Sequence, residues 1–351
     1  MEETRSMTID ENHDDASITK KIMIKTCDPW SNLNHDVLFL VLMRLGVVDF
    51  VAFSRVCKSW RSLALSNKNM FIVSRPPMAI SISTDANENE CYLYLEDSQG
   101  RKFKTIFPAH SDYKQCIGVS CGYLILIGEE TNDLWLVNPI TRHEFHAPFP
   151  FLDIRFYIHG LGVILVFSPS ISAWVFVVIN RFWNKIWFCI AGKREWTCVF
   201  TPLSIYDLHV FKGKIYTLHP NNCLSEVRLF PTPEVTLLEI KNFSKTERNH
   251  WRLVSSGENL YVINRMPEFP FKIEELDFSK MEWVSPEKTA EEYAFFFSID
   301  NGATLIRIEP WADLYSQYGK YSFPKKCGKG RLFRANMWYF FHDCLNGNFL
   351  Y

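Results

Sequence analysis

The chain has 351 residues, of which 47% are hydrophobic and 22% charged, so it is predicted to fold as about two globular domains. Its net charge of -1 argues against a general polyanion binder, and we expect no nucleic-acid partner. The 10 cysteines form no C-x-x-C pair, which argues against zinc-finger and thioredoxin-like sites and favours a reducing compartment.

The first 29 residues are predicted to be a disordered acidic leader. They lack the apolar core of a secretory signal, and their acidity does not fit a mitochondrial transit peptide. The acidic residues are Glu2, Glu3, Asp10, Glu11, Asp14 and Asp15. We therefore expect a protein of the nucleus, the cytoplasm or both.

A dense apolar stretch follows, from Leu33 to Leu63, and its punctuation predicts three short helices. Asn34 is placed to cap the first helix and Gly46 to end it. Asp49 is placed to cap the second, and a third helix of a turn or two carries Trp60.

The first of these helices has more apolar surface than a three-helix fragment can bury. One face of the helix carries an apolar stripe with i, i+3, i+4 spacing, and the opposite face carries further apolar residues. The stripe is Val37, Leu38, Val41, Leu42 and Leu45, and the other side carries Phe39, Leu40 and Met43. A fragment below about 40 residues rarely has a sufficient core, so the surplus predicts a partner.

This stretch resembles the F-box motif along its whole length. The matching pattern is Leu33-x-x-Asp36-Val37-Leu38-x-x-Val41-Leu42-x-Arg44-Leu45, then Asp49-Phe50-x-x-Phe53-x-x-Val56-Cys57-Lys58-x-Trp60-Arg61-x-Leu63. The main departure is Asn34, where the family usually has proline. The resemblance implies an F-box at residues 30–75 that binds the Skp-type adaptor of a cullin-RING ubiquitin ligase.

The residues expected to contact that adaptor follow from the motif. They are Leu33, Asn34, Val37, Leu38, Val41, Leu42, Leu45, Phe50, Val56, Cys57 and Trp60. Between Trp30 and Arg75 the chain has six basic residues and two acidic ones, which suits the acidic adaptor that the resemblance implies.

Beyond Arg75-Pro76-Pro77 the pattern changes to short β-branched and aromatic runs between turn residues, which predicts an all-β domain. The clearest runs are Cys91 to Leu95, Tyr123 to Ile127, Leu134 to Val137, Val163 to Phe167, Ala173 to Ile179, Ile186 to Ile190, Lys214 to Leu218, Asn259 to Ile263 and Met337 to Phe341.

Glycines repeat at the start of several of these runs. Gly213 and Gly257 are 44 residues apart, and Gly122 precedes Gly213 by 91, about two such steps. A period of roughly 40 to 50 residues is typical of WD40 and kelch propellers. Residues 76–351 would then hold about six blades.

The order of motifs in this half resembles plant F-box proteins with a kelch-like C-terminal domain, sometimes called KIB-type. The motifs are Gly118 to Leu124, Leu136 to Thr141, Ser168-Pro169-Ser170 and Phe211 to Tyr216. The predicted fold is therefore α+β and multidomain, with a three-helix F-box followed by an all-β kelch-like propeller.

Two segments have alternative interpretations. The 22 residues from Ile158 to Ile179 lack charges and are long enough to span a membrane, but Ser168-Pro169-Ser170 near the middle favours a buried hairpin. The stretch Ser298 to Leu305 partly matches the Asp-box of sialidase-like propellers, whereas Asn301-Gly302 favours an ordinary hairpin.

Other candidate sites are predicted to be structural. These are a possible metal set (His209, His219 and His250), a basic run usable for nuclear import (Lys325, Lys326, Lys329, Arg331 and Arg334) and an aromatic rim (Phe149, Phe151, Phe156 and Tyr157). The common catalytic signatures are also missing. We therefore expect a chain without enzymatic activity, metal or cofactor.

The function implied is substrate recognition for a Skp-cullin-F-box ubiquitin ligase, with the F-box on the adaptor and the propeller on a target protein. The alternative is a scaffold or decoy that binds its target without ubiquitination, because Asn34 weakens docking. A propeller enzyme is the third and least favoured hypothesis. The sequence does not identify the target.

Overall fold

The structure is a computed structural model, and it describes most of the chain apart from its two ends and several internal segments. The described residues are 33–85, 90–97, 100–106, 114–128, 133–149, 160–181, 183–220, 223–242, 251–256, 258–264, 273–285, 293–298, 303–307, 331–335 and 337–339. The predicted leader lies outside them.

Three helices open the described chain: α1 (His35–Leu42), α2 (Val47–Phe53) and α3 (Lys58–Val73). Asn34 caps α1 as predicted, since its side-chain Oδ1 accepts a hydrogen bond from the Asp36 amide at 2.9 Å. The Asp36 carboxylate lies in the first turn, where it meets the positive end of the helix dipole.

The helix boundaries after α1 differ from the predicted ones. Gly46 does not end α1. It precedes α2, and its carbonyl accepts a hydrogen bond from the Phe50 amide at 2.8 Å. Asp49 is therefore not the cap but a first-turn residue, suited to the dipole. Helix α3 is longer than predicted because Phe71 and Ile72 at its end are buried.

The strands assemble into six sheets within the described residues. Blade 1 contains β1 (Met78–Asp85), β2 (Glu90–Glu96), β3 (Lys102–Ile106) and the late strand β23 (Met337–Tyr339). Blade 2 contains β4 (Lys114–Ser120), β5 (Tyr123–Gly128), β6 (Asp133–Val137) and β7 (Glu144–Pro148). Blade 3 contains β8 (Leu161–Ser168), β9 (Ala173–Asn180), β10 (Lys185–Ile190) and β11 (Thr197–Phe200).

The remaining sheets continue the chain order. Blade 4 contains β12 (Asp207–Phe211), β13 (Lys214–Leu218), β14 (Leu224–Arg228) and β15 (Glu234–Leu238). Blade 5 contains β16 (Trp251–Ser256), β17 (Asn259–Asn264), β18 (Ile273–Asp277) and β19 (Glu282–Val284). The sixth sheet contains β20 (Tyr293–Ser298), β21 (Ala303–Arg307) and β22 (Arg331–Ala335).

These sheets close into a propeller. The first strands of blades 2 to 5 contact one another in order, and the sixth sheet contacts both β16 and β23. Strand β23 pairs with β1, so the last described strand completes the first blade. The buried Tyr339 hydroxyl also donates a hydrogen bond to the Gly122 carbonyl in blade 2, at 2.9 Å.

The prediction of about six blades needs correction. Among the described residues five blades have four strands each, whereas the sixth sheet has three, in the order β21-β20-β22. Its β20–β22 pair is parallel, unlike the antiparallel pairs of the other sheets. A parallel pair requires a long crossover, so the four-stranded repeat is not continued there.

The glycine period is confirmed where the structure describes it. Cys121 and Gly122 have φ of 50° and 75°, and Lys212 and Gly213 have 49° and 74°. Each pair joins the first strand of a blade to the second. Positive φ at both positions is the two-residue hairpin geometry that favours glycine. Gly257 lies outside the described residues.

Both hairpin interpretations agree with the observed pairing. Strands β8 and β9 are antiparallel, with Ser168 opposite Ala173, and β20 and β21 are antiparallel, with Phe297 opposite Ala303. The Asn301-Gly302 turn lies outside the described residues. In the part of the chain that the structure describes, no helix is long and apolar enough to cross a membrane.

Hydrogen bonds between blades 4 and 5 join residues one repeat apart. The Asp207 carboxylate accepts a hydrogen bond from the Leu253 amide at 2.8 Å, and His209 Nε2 shares one with Ser255 Oγ at 2.9 Å. Burial lowers the pKa of His209 to about 4, while the Asp207 carboxylate has a smaller opposing effect on it. His209 is therefore neutral in the folded protein near pH 7.

We expect His209 to make the fold sensitive to acid. Between pH 6.5 and 4 this imidazole takes up a proton in the unfolded chain but not in the folded protein. The free energy of unfolding therefore decreases as the pH is lowered through this range, by at most about 3 kcal/mol. Urea unfolding at several pH values measures this loss. His209→Gln, which can still bond Ser255, should show a shallower loss; identical curves for both proteins would contradict the assignment.

Candidate functional site

The three helices share one apolar core with the first two blades. Leu38, Leu42 and Phe50 are exposed by 1%, 0% and 0%. They belong to the same core as blade residues from the neighbouring strand ends, namely Met78, Leu95, Leu124, Val137 and Tyr339. Part of the surplus apolar surface is thus covered by the chain's own propeller.

Arg75 ties the end of the helical region back to its beginning. Its guanidinium donates a hydrogen bond to the Met43 carbonyl and lies 5.0 Å from the centre of the Phe71 ring. Burial lowers the pKa of Arg75, and the nearby positive charge of Arg101 on blade 1 lowers it further. The contacts with Met43 and Phe71 therefore join the end of α3 to the end of α1.

The burial of Leu38, Leu42 and Phe50 changes the role that we assign to them. In this structure their side chains stabilise the core, and they present no surface to an adaptor. A 3.6-residue apolar period does not distinguish a side chain that packs internally from one that binds a partner. Their burial favours a structural contribution to the F-box, and their direct contact with the adaptor stays a prediction.

A different apolar stripe remains on the outside of α1. Val37, Leu40 and Val41 are exposed by 46%, 60% and 42%, and their i, i+3, i+4 spacing places them on one face. Val56, after α2, is exposed by 58%, and Val48 on α2 by 37%. We call these five residues the exposed F-box stripe. Leu40 and Val48 were missing from the predicted contact set.

The other residues predicted to contact the adaptor are neither fully buried nor part of the exposed F-box stripe. Leu33, Leu45, Cys57 and Trp60 are half-buried, and Asn34 is exposed. The Trp60 indole stacks on Phe53 with ring centres 4.4 Å apart. Adaptor contact stays a prediction for these residues and for Val37, Val41 and Val56. Leu40 could have been found from its spacing relative to Val37.

The charges around the stripe are mainly basic. Arg44, Arg55, Lys58 and Arg61 are exposed, and so are the two acids, Asp36 and Asp49. Arg61 Nε also donates a hydrogen bond to the Ser54 carbonyl at 3.3 Å, which holds α3 against the end of α2. Exposed cations beside an apolar stripe favour an acidic protein partner and affect the association rate most.

The Asn34 cap has a measurable contribution. Replacement by alanine removes the acceptor for the Asp36 amide, and we expect a loss of about 1 kcal/mol in the free energy of unfolding. Replacement by proline should be tolerated, because the φ of Asn34 is -56°, close to the angle that proline imposes. Thermal unfolding of both variants tests this; an alanine variant as stable as the unmodified chain would contradict the role of the cap.

The other candidate sites are not assembled as functional centres in the described residues. His209 bonds Ser255, whereas His219 Nδ1 donates to the Ser204 carbonyl at 2.9 Å and its Nε2 accepts from hydroxyl groups. No group of three metal-ligating side chains occurs among these residues. Phe149 is buried, and Arg331 and Arg334 lie in β22. His250, Lys325, Lys326, Lys329, Phe151, Phe156 and Tyr157 lie outside the described residues.

Comparisons with known proteins match both parts of the chain. The F-box domain family model matches residues 30–72, and the KIB1-4 beta-propeller family model matches residues 92–306. F-box protein At3g56470 of Arabidopsis thaliana is 27% identical over 206 residues, covering 55% of this chain and 52% of that protein. Putative F-box protein At5g66830 of the same species is 26% identical over 130 residues, covering 34% and 32%.

The chain thus spans about half, or less, of the length of these curated relatives. Among solved structures, AztD from Citrobacter koseri is 15% identical, with 55% of this chain and 51% of that chain covered and a TM-score of 0.32. The WD40 domain of SCAP from fission yeast is 12% identical, with 60% and 53% covered and a TM-score of 0.34. The two family matches, in this order along one chain, show that it belongs to the KIB1-4 beta-propeller family and is a plant F-box protein.

Proposed function

We propose that the chain is the substrate-recognition subunit of a Skp-cullin-F-box ubiquitin ligase. The observation that carries this proposal is the exposed F-box stripe, which lies within the segment that matches the F-box family. Five of the eleven exposed large apolar side chains of the described residues belong to the stripe, and exposed apolar patches commonly mark interaction sites. The exposed cations around it suit an acidic adaptor.

The mechanism that we propose is proximity. The F-box binds the Skp-type adaptor while the propeller binds the target, so the target's lysines reach a high effective concentration beside a ubiquitin-loaded enzyme elsewhere in the assembly. The shared core of the helices and blades supports this arrangement, because a target held by the propeller then has a fixed geometry relative to the adaptor.

In this proposal the chain contributes binding and no chemistry of its own. The contacts of two propeller histidines support that role, since His209 Nε2 is held by a hydrogen bond with the Ser255 hydroxyl at 2.9 Å. His219 is likewise occupied by the Ser204 carbonyl and two hydroxyl groups.

Reconstitution tests the proposal. The full chain, a purified Skp-type adaptor and a cullin-RING core should elute together from a sizing column as one complex. Elution of the chain apart from the adaptor would refute the proposal. If the complex forms, but the target's abundance is unchanged when the gene is deleted, the non-degradative scaffold is the better description.

A further inference from the structure

The propeller has two ends, and the helices occupy one of them. Packing against the helices involves Met78 at the start of β1, Phe103 near the start of β3, Leu124 near the start of β5 and Val137 at the end of β6. In these antiparallel blades all four positions lie at the same end, which we call the helix-proximal end. The opposite, helix-distal end is formed by the other ends of these strands, and among the described residues it carries the start of β10, the end of β11 and the link 201–206 to β12.

A cation flanked by aromatic rings lies at the helix-distal end of blade 3. Lys185 begins β10 and pairs with Phe200, the last residue of β11. The Lys185 ammonium nitrogen is 5.2 Å from the centre of the Phe200 ring and 6.0 Å from that of Trp183. Phe200 is exposed by 64%, the largest exposed fraction among the large apolar side chains of the described residues. We call these three residues the blade 3 rim.

The backbone beneath the rim is fixed by hydrogen bonds. The Thr201 amide donates to the Asn184 carbonyl at 2.9 Å, and the Ile205 amide donates to the Trp183 carbonyl at 3.2 Å. Below them, His219 donates to the Ser204 carbonyl at 2.9 Å. A surface held in this way needs little ordering when a ligand binds, which lowers the entropy cost of association.

The charge of the rim indicates which partner it fits. Within the described part of the chain, Lys185 has no carboxylate at ion-pair distance, whereas the comparable Lys212 pairs with Glu258 at 2.6 Å. At the same end of the propeller, the Asp207 carboxylate already accepts the Leu253 amide and lies 4.0 Å from the Arg252 guanidinium. The half-buried Lys185 therefore has a positive charge without an ion-pair partner among the described residues, beside the exposed Phe200 ring.

We propose that the blade 3 rim is a target-docking site for a protein segment that carries a carboxylate next to a large apolar side chain. The carboxylate would pair with Lys185, and the apolar side chain would pack on Phe200 and Trp183. Aromatic residues and desolvated charge pairs are the usual centres of binding energy in interfaces. This inference rests on the proposed function, because it assigns the site at which the recognition subunit holds its target.

A selection experiment with the full chain tests the rim. A library of random ten-residue peptides is selected on the immobilised protein, and the enriched peptides are measured against the protein and its variants. We expect enriched peptides to contain an acidic residue adjacent to an aromatic or aliphatic one. Lys185→Glu and Phe200→Ser should each weaken their binding by about tenfold or more.

Lys212→Glu is the matched control. The Lys212 ammonium lies 5.2 Å from the Phe211 ring, the same separation as between Lys185 and Phe200, but at the helix-proximal end and paired with Glu258. Its effect should stay within about twofold. Failure to enrich any peptide, enrichment without acidic residues, or binding that survives Lys185→Glu would each overturn the inference. Adaptor binding is measured on the same variants, so failure of the proposed function is seen separately.

Discussion

Replacing Phe50 with alanine is expected to destabilise the helices and the first blade together. Phe50 is fully buried, and its ring stacks on Phe71 with centres 4.2 Å apart, in the core that also contains Met78 and Leu95. Deleting a buried aromatic ring removes packing and leaves a cavity, at a cost of about 3–5 kcal/mol. The loss should appear in urea unfolding of the full chain.

Hydrogen exchange locates that loss. Amides of β1 and β2 should lose protection in Phe50→Ala together with those of α2, whereas amides of β13 in blade 4 should change little. Val48→Ala is the control on the same helix, because Val48 is exposed by 37% and its truncation should alter stability by no more than about 0.5 kcal/mol. Unchanged protection of β1 and β2 would show that the helices and the blade do not share a core.

The second large effect concerns the adaptor. Val37→Asp combined with Val41→Asp places two charges on the exposed F-box stripe, where we expect them to weaken binding of a Skp-type adaptor by about a hundredfold or more. The fold should persist, since both side chains are exposed, by 46% and 42%. Adaptor affinity and thermal unfolding, measured on the same preparation, separate lost binding from lost structure.

The propeller supplies a control for that pair. Leu237 on β15 has the same exposed fraction as Val37, 46%, so Leu237→Asp adds a charge to a comparable apolar surface on blade 4. Its adaptor affinity should equal that of the unmodified chain. The buried neighbours Leu38 and Leu42 are unsuitable for this test, because charges there would unfold the helices whether or not an adaptor binds.

The sequence predicts local structure here better than it predicts which surfaces meet. The roles of Asn34 and Gly122 follow from the residue type, because an asparagine side chain can cap a helix and a glycine can adopt a positive φ in a turn. Both residues have the predicted roles. The identity of the surface covering Leu38 and Leu42 has no local signal, because the contacts come from distant strands. Asp49 has a side chain suited to cap α2, but the helix begins three residues earlier, because the Gly46 carbonyl accepts its first backbone hydrogen bond.

Two further features that the sequence does not reveal depend on pairing between distant strands. Strand β23 pairs with β1 although Met78 and Tyr339 are far apart in the chain, and the parallel β20–β22 pair breaks the repeat. The blade 3 rim is similar: Lys185 and Phe200 meet only because β10 and β11 have the observed register. Patterning predicts that strands exist, while register depends on the assembled sheet.

The most direct test of the proposed function is the affinity of the unmodified full chain for a purified Skp-type adaptor, measured by isothermal titration calorimetry. The exposed F-box stripe predicts a one-to-one complex with a dissociation constant below about 1 μM. No measurable binding with the adaptor at about 100 μM would contradict the central claim.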